Sequence, residues 1–93
     1  MDDYSTWYWP RQLRDATAMS DIATRLGRVI RRLRTERGIS QEGLAAISGV
    51  DRTFMGAIER GEVNPSFDVL QRIASGLAVQ LSDLIRQYES ETD

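Results

Sequence analysis

The side chains that carry most acid–base, thiol and metal chemistry are absent from this chain of 93 residues, which has no histidine and no cysteine. There is thus no imidazole to serve as general base or metal ligand, no thiolate nucleophile and no disulfide framework. A glycine-rich phosphate loop between strand and helix is missing as well, so the sequence reads as no enzyme, with no cofactor and no metal. What remains is arginine. All twelve basic residues are Arg and none is Lys, a bias that genomic base composition explains as readily as phosphate recognition does. Its distribution says more: residues 20–60 hold eight Arg against five acids, giving +3, whereas residues 1–19 carry −1 and residues 61–93 carry −4. A basic middle between acidic ends suits an anionic partner met by one face, because a whole molecule of net charge −2 would not draw nucleic acid in. A solvated helix face is the plainer reading of the same charges.

A chain this short allows one small domain, which buries roughly 60–65% of its unfolded surface and would gain from a partner subunit. No apolar run approaches the ~18 residues of a membrane span, and the start MDDYSTWYWP has neither a basic n-region nor a small-residue cleavage site, so a cytoplasmic protein is expected. The basic middle contains the stretch Gln41–Gly61, QEGLAAISGVDRTFMGAIERG, which reads as two short helices hinged at a glycine. Leu44 and Ile47 are apolar at helical spacing, Ala45 is small where another helix could cross, and Gly49 stands where the helix should stop. Val50 follows as an apolar plug. Asp51 can cap a new helix, with Met55 and Ile58 three apart on its inner face. This is the pattern of a helix-turn-helix.

The flanking elements follow from the same signals. Residues 1–19 are expected to be a partly disordered extension, in which Trp7, Tyr8 and Trp9 form an aromatic knot that packs on the domain, meets a subunit or stacks on bases, packing being favoured. The domain is expected over residues 20–88. A first helix should start at Ser20, as its cap, and run to about Glu36, with Ile22, Leu26, Val29, Ile30 and Leu33 as its apolar stripe. Gly27 inside it costs about 1 kcal/mol against Ala, so either the helix effectively begins near it or another backbone packs closely there. Gly38 should end the helix and Ser40 cap the second, over about 41–48; the third covers about 51–60 and stops at Gly61. Asn64 before Pro65 is pushed out of helical geometry, and Ser66 opens a fourth helix with Phe67, Leu70, Ile73, Ala74 and Leu77 as its buried stripe. A fifth begins around Gln80–Ser82 with Leu81, Leu84, Ile85 and Tyr88 on its apolar face. Residues 89–93 are expected to fray as an acidic tail.

Taken together, RRLRTERGISQEGLA, SGV, IERGEVNPS and LQRIASGLAV, in this order and spacing, resemble the five-helix domain of the Cro/C1-type (Xre-like) helix-turn-helix regulators. The resemblance spans Leu26 to Ile85, about two thirds of the chain. DRTFMGAIERG is most similar to small regulators that include restriction-modification controllers. The fold implied is all-α, a compact lambda-repressor-like domain of five helices. The function implied is transcription regulation by a homodimer on a (pseudo)palindromic operator in double-stranded DNA, with the third helix in the major groove and the second crossing the backbone. Occupancy could repress by blocking RNA polymerase or activate by touching it. An alternative keeps the fold for protein binding, as an antitoxin or anti-regulator partner.

Within that frame, side-chain direction assigns roles. Opposite Met55 and Ile58, the third helix presents Arg52, Thr53 and Ala57 for base reading, with Gly56 leaving the backbone free to approach DNA. Arg52 is the first choice, because its planar fork can meet guanine O6 and N7 together. Gln41, Arg60 and Asn64 are assigned to phosphates, which fix register. Glu62 departs from the pattern, an acid close to the expected DNA backbone unless it turns outward. Arg34 and Glu59 stand where family members carry an ion pair tying the first helix to the third, and a structural bridge is preferred to a direct base contact. Phe54 either completes the core or touches a thymine methyl or the sugar-phosphate wall; partial burial is favoured. Leu81, Leu84, Ile85 and Tyr88 divide between the core and the dimer contact.

Overall fold

The computed structural model describes the backbone of residues 16–91 and the side chains of residues 21–91. Among the described residues five helices follow one another: α1 (Ala16–Glu36), α2 (Gln41–Ser48), α3 (Arg52–Glu59), α4 (Phe67–Gly76) and α5 (Leu81–Ser90). Among the described residues there is no strand. α1 packs on α3 and α5, α2 on α3 and α4, and α4 on α5. Their apolar stripes meet in one core whose fully buried side chains include Val29, Ile30, Leu44, Met55, Ile58, Ile73, Leu77 and Leu84.

The caps explain why the chain divides where it does. Ser40 Oγ accepts from Gly43 N at 2.9 Å, Asp51 Oδ2 from Phe54 N at 3.2 Å and Ser66 Oγ from Val69 N at 3.2 Å, each satisfying an amide that has no carbonyl partner within its helix. Gly49 closes α2 at φ 67°, and its carbonyl accepts from Arg72 Nη1 at 3.0 Å. Val50 is buried directly behind it, which fixes the angle at which α3 leaves α2.

Gly27 sits well inside α1, so the helix does not begin there. A Cβ at Gly27 would lie 2.4 Å from the Ile58 carbonyl oxygen and 2.6 Å from that of Glu59. The C-terminal turn of α3 therefore rests backbone to backbone on α1. At Gly61, φ 76°, a Cβ would come within 2.7 Å of Thr24 Cα, which extends the same close docking by one turn.

Four expectations are corrected. α1 starts at Ala16, so Ser20 lies one turn inside the helix rather than capping it, because nothing in Ala16–Met19 breaks a helix. The aromatic knot Trp7–Trp9 and the rest of residues 1–15 lie outside the described residues. Ile47 is exposed: the buried stripe of α2 is Leu44, Ala45 and Ser48, and Ile47 points about 100° away from its centre. Phe67 is 74% exposed, since it is the first residue of α4 and no further turn closes over it. The tail does not fray at Glu89–Glu91 either. α5 continues to Ser90, and the Glu91 carboxylate is held by Arg32 at 2.8 Å and Arg28 at 3.6 Å, while Arg25 Nη2 donates to the Glu91 carbonyl at 2.8 Å. Free carbonyls at a helix end attract cations, and α1 supplies a row of them.

Candidate functional site

Two short helices and their hinge bring four of the expected polar residues round one cleft. Gln41 from the first turn of α2, Arg52 and Thr53 from the start of α3, and Arg60 just past its end line a shallow depression of about 340 Å³ with Gly56 among them. Met55 and Ile58 are buried on the opposite side of α3, so the division of that helix into a buried and an open face follows the sequence pattern. Gly56 keeps the cleft open, because a Cβ there would come 3.0 Å from Arg60 Nη1 and 3.3 Å from Gln41 Oε1. Ala57 is half-buried and Asn64 exposed, and neither lines the cleft. Phe54 is half-buried against the core.

Behind the cleft, α3 is braced to α1. Arg34 Nε and Nη2 donate to the two carboxylate oxygens of Glu59 at 2.7 and 3.1 Å, and Arg34 Nη1 donates to the Ile39 carbonyl at 2.8 Å. Both side chains are withdrawn from water, at 12% and 3% exposure, so the two-pronged geometry orients helices more than it adds net stability. Gln41 Nε2 donates to the same Glu59 carboxylate at 3.0 Å, which ties the first turn of α2 into the brace. Gln41 faces the cleft, yet one of its two amide hydrogens is already committed to Glu59, a partner to which its position in the sequence gives no pointer.

The two arginines of the cleft each hold an acid. Arg52 Nη2 lies 2.8 Å from Glu42 Oε2. Arg60 binds Glu62 through Nε at 2.9 Å and Nη2 at 3.2 Å. Those hydrogen bonds, more than the charge itself, lower the Glu62 carboxyl below its ordinary pKa, and the same contact raises the Arg60 guanidinium. Glu62 thus turns onto Arg60 instead of outward and neutralises the cation expected at the phosphates. The Arg52–Glu42 pair escaped sequence reasoning because it crosses the turn, where neither helical nor strand spacing signals a neighbour.

No groups of acidic side chains that could hold a metal ion occur among the described residues, and no described helix is long and apolar enough to cross a membrane.

A family model described as helix-turn-helix matches residues 30–84. The control protein C.MunI of a Mycoplasma species is 40% identical over 74 residues, which covers 78% of this chain and 100% of that protein. The HTH-type transcriptional regulator SutR of Escherichia coli is 38% identical over 80% of this chain, which spans 42% of that longer protein. The crystal structure of the restriction-modification controller protein C.AhdI from Aeromonas hydrophila superposes with a TM-score of 0.66 at 38% identity, covering 70% of this chain and 97% of that one.

Proposed function

We propose that this chain, which belongs to the Cro/C1-type helix-turn-helix family of DNA-binding regulators, acts as a homodimer on a (pseudo)palindromic operator and controls transcription from it. The observation that carries the reading is the open face of α3 and its neighbours. Arg52 and Thr53 project from the start of a helix whose other side is anchored in the core, and Gln41 and Arg60 flank them on one cleft. A helix presented in this way fits the major groove, with its N-terminal residues at base edges and the start of α2 against the backbone.

Roles then follow from chemistry. Arg52 reads guanine through two parallel hydrogen bonds, Thr53 meets a base edge or phosphate, and the Ala57 methyl can touch a thymine methyl. Arg60, the exposed Asn64 and the remaining amide hydrogen of Gln41 serve the phosphates. Regulation of a restriction-modification system is supported by the likeness to the restriction-modification controller protein C.AhdI over 97% of its length, and contact with RNA polymerase would make the bound dimer an activator. A cytoplasmic site of action goes with the DNA target.

Gel shift against duplex fragments from the chain's own genomic flanks, at two salt concentrations with competitor DNA, tests the reading. A competitor-resistant complex that weakens steeply with salt is expected. Absence of any specific complex would sink it.

A further inference from the structure

The acids that hold the cleft arginines differ in geometry, and the difference assigns them different work. Glu42 stands in the first turn of α2 and reaches across the hinge to Arg52, the first residue of α3, through a single contact between Nη2 and Oε2 at 2.8 Å. Glu62 occupies an edge of Arg60, taking both Nε and Nη2. We propose that Glu42 is a positioning residue for sequence readout, aiming the Arg52 guanidinium into the cleft, whereas Glu62 is a charge mask that weakens all duplexes alike. The proposal rests on the groove-binding reading of α3 given above.

Unrestrained, Arg52 would sample many rotamers, because its side chain is 71% exposed. A guanidinium carries five N–H donors in a rigid fork, so an ion pair at Nη2 tethers its tip near the start of α2 and leaves an edge free for the paired acceptors of guanine. Arg60, with one edge already occupied, keeps less to offer. In the free protein the Arg52–Glu42 pair is nearly solvated, Glu42 being 60% exposed, and such pairs contribute little to stability. Once a duplex displaces the surrounding water, the same pair is screened less and holds harder. Glu42 therefore acts in the complex. It also repels the phosphate backbone, so it trades affinity for discrimination.

Duplexes enriched by the wild-type protein from a random-sequence pool, their single-base-pair variants and a scrambled duplex supply the probes. Binding is measured at two salt concentrations for wild type, Arg52→Ala, Glu42→Ala and Glu62→Gln. Arg52→Ala marks the base pair that Arg52 reads. Glu42→Ala should bind the scrambled duplex a few-fold tighter while preference at that same base pair falls about fivefold. Glu62→Gln should tighten every duplex by a similar factor with preferences unchanged. The proposal is overturned if Glu42→Ala keeps wild-type preference at that base pair, or alters a different one, which would make Glu42 itself the reader of a cytosine. It is equally overturned if Arg52→Ala relaxes no base pair. A pool from which wild type enriches nothing overturns the groove reading and this proposal with it.

Discussion

Glu59 receives hydrogen bonds from Arg34 on α1 and Gln41 on α2 while itself belonging to α3, so one carboxylate joins three helices. Removing it leaves a cation at 12% exposure without its partner and frees the first turn of α2. Glu59→Ala is expected to lower stability by about 3 kcal/mol, read as a fall in the thermal unfolding midpoint, and to weaken DNA binding in parallel. Gln41→Ala should leave the Arg34–Glu59 bridge in place and change the midpoint far less. If Glu59→Ala melts like wild type, the brace is not structural. The Arg34 and Glu59 positions were legible in the sequence through the family pattern. The commitment of Gln41 to Glu59 was not, because it depends on the angle between α1 and α3 and no spacing along the chain encodes that angle.

At the level of helices, caps and glycines made the boundaries readable: Ser40, Asp51 and Ser66 cap as their types suggest, and Gly38, Gly49 and Gly61 all adopt positive φ. Where composition carried no breaker, as at Ala16–Met19, the start of α1 could not be placed. The apolar period identified helix faces but not how far each face is covered, which is why Ile47 and Phe67 emerged in solvent. Gly27 offers a test whose sign separates local from tertiary effects. By helix propensity alone, Gly27→Ala should stabilise α1 by about 1 kcal/mol. Its Cβ would instead collide with the carbonyls of Ile58 and Glu59, which are backbone and cannot swing aside. Overpacking of this kind forces helices apart, and a net loss of about 2 kcal/mol is expected in denaturant unfolding. A more stable variant would refute the close docking of α3 on α1.

For the molecule as a whole, charge and assembly decide behaviour. The chain has no histidine, so no side chain has an ordinary pKa between about 5.5 and 7. Glu62, lowered by Arg60, contributes stability that is present above the ordinary carboxylate pKa and lost only as pH falls through its own lower value. Affinity for an enriched duplex, followed by fluorescence anisotropy at fixed ionic strength, should therefore vary less than about twofold from pH 7 to 5.5. Assembly is less simple than the apolar stripe of α5 suggested. Leu84 is fully buried in the chain's own core and drops out as a dimer residue; Leu81 and Tyr88 are half-buried against that core, with Arg25 over the Tyr88 ring at 4.8 Å. Ile85, at 37% exposure, is the member of that set still open to a partner. A stable contact covers about 800 Å² on each side, far more than one isoleucine provides, so Ile85 would be the centre of a patch that draws in the outer edges of its neighbours and polar residues of α5. Burying a charge at such a centre is costly, and Ile85→Glu should raise the dimer dissociation constant by about 100-fold or more in sedimentation while leaving unfolding of the monomer nearly unchanged. In the proposed dimer, two recognition helices about 34 Å apart would engage one operator together, so operator affinity should fall with it. A dimer that survives Ile85→Glu but is split by Phe67→Glu would move the contact from α5 to the exposed start of α4.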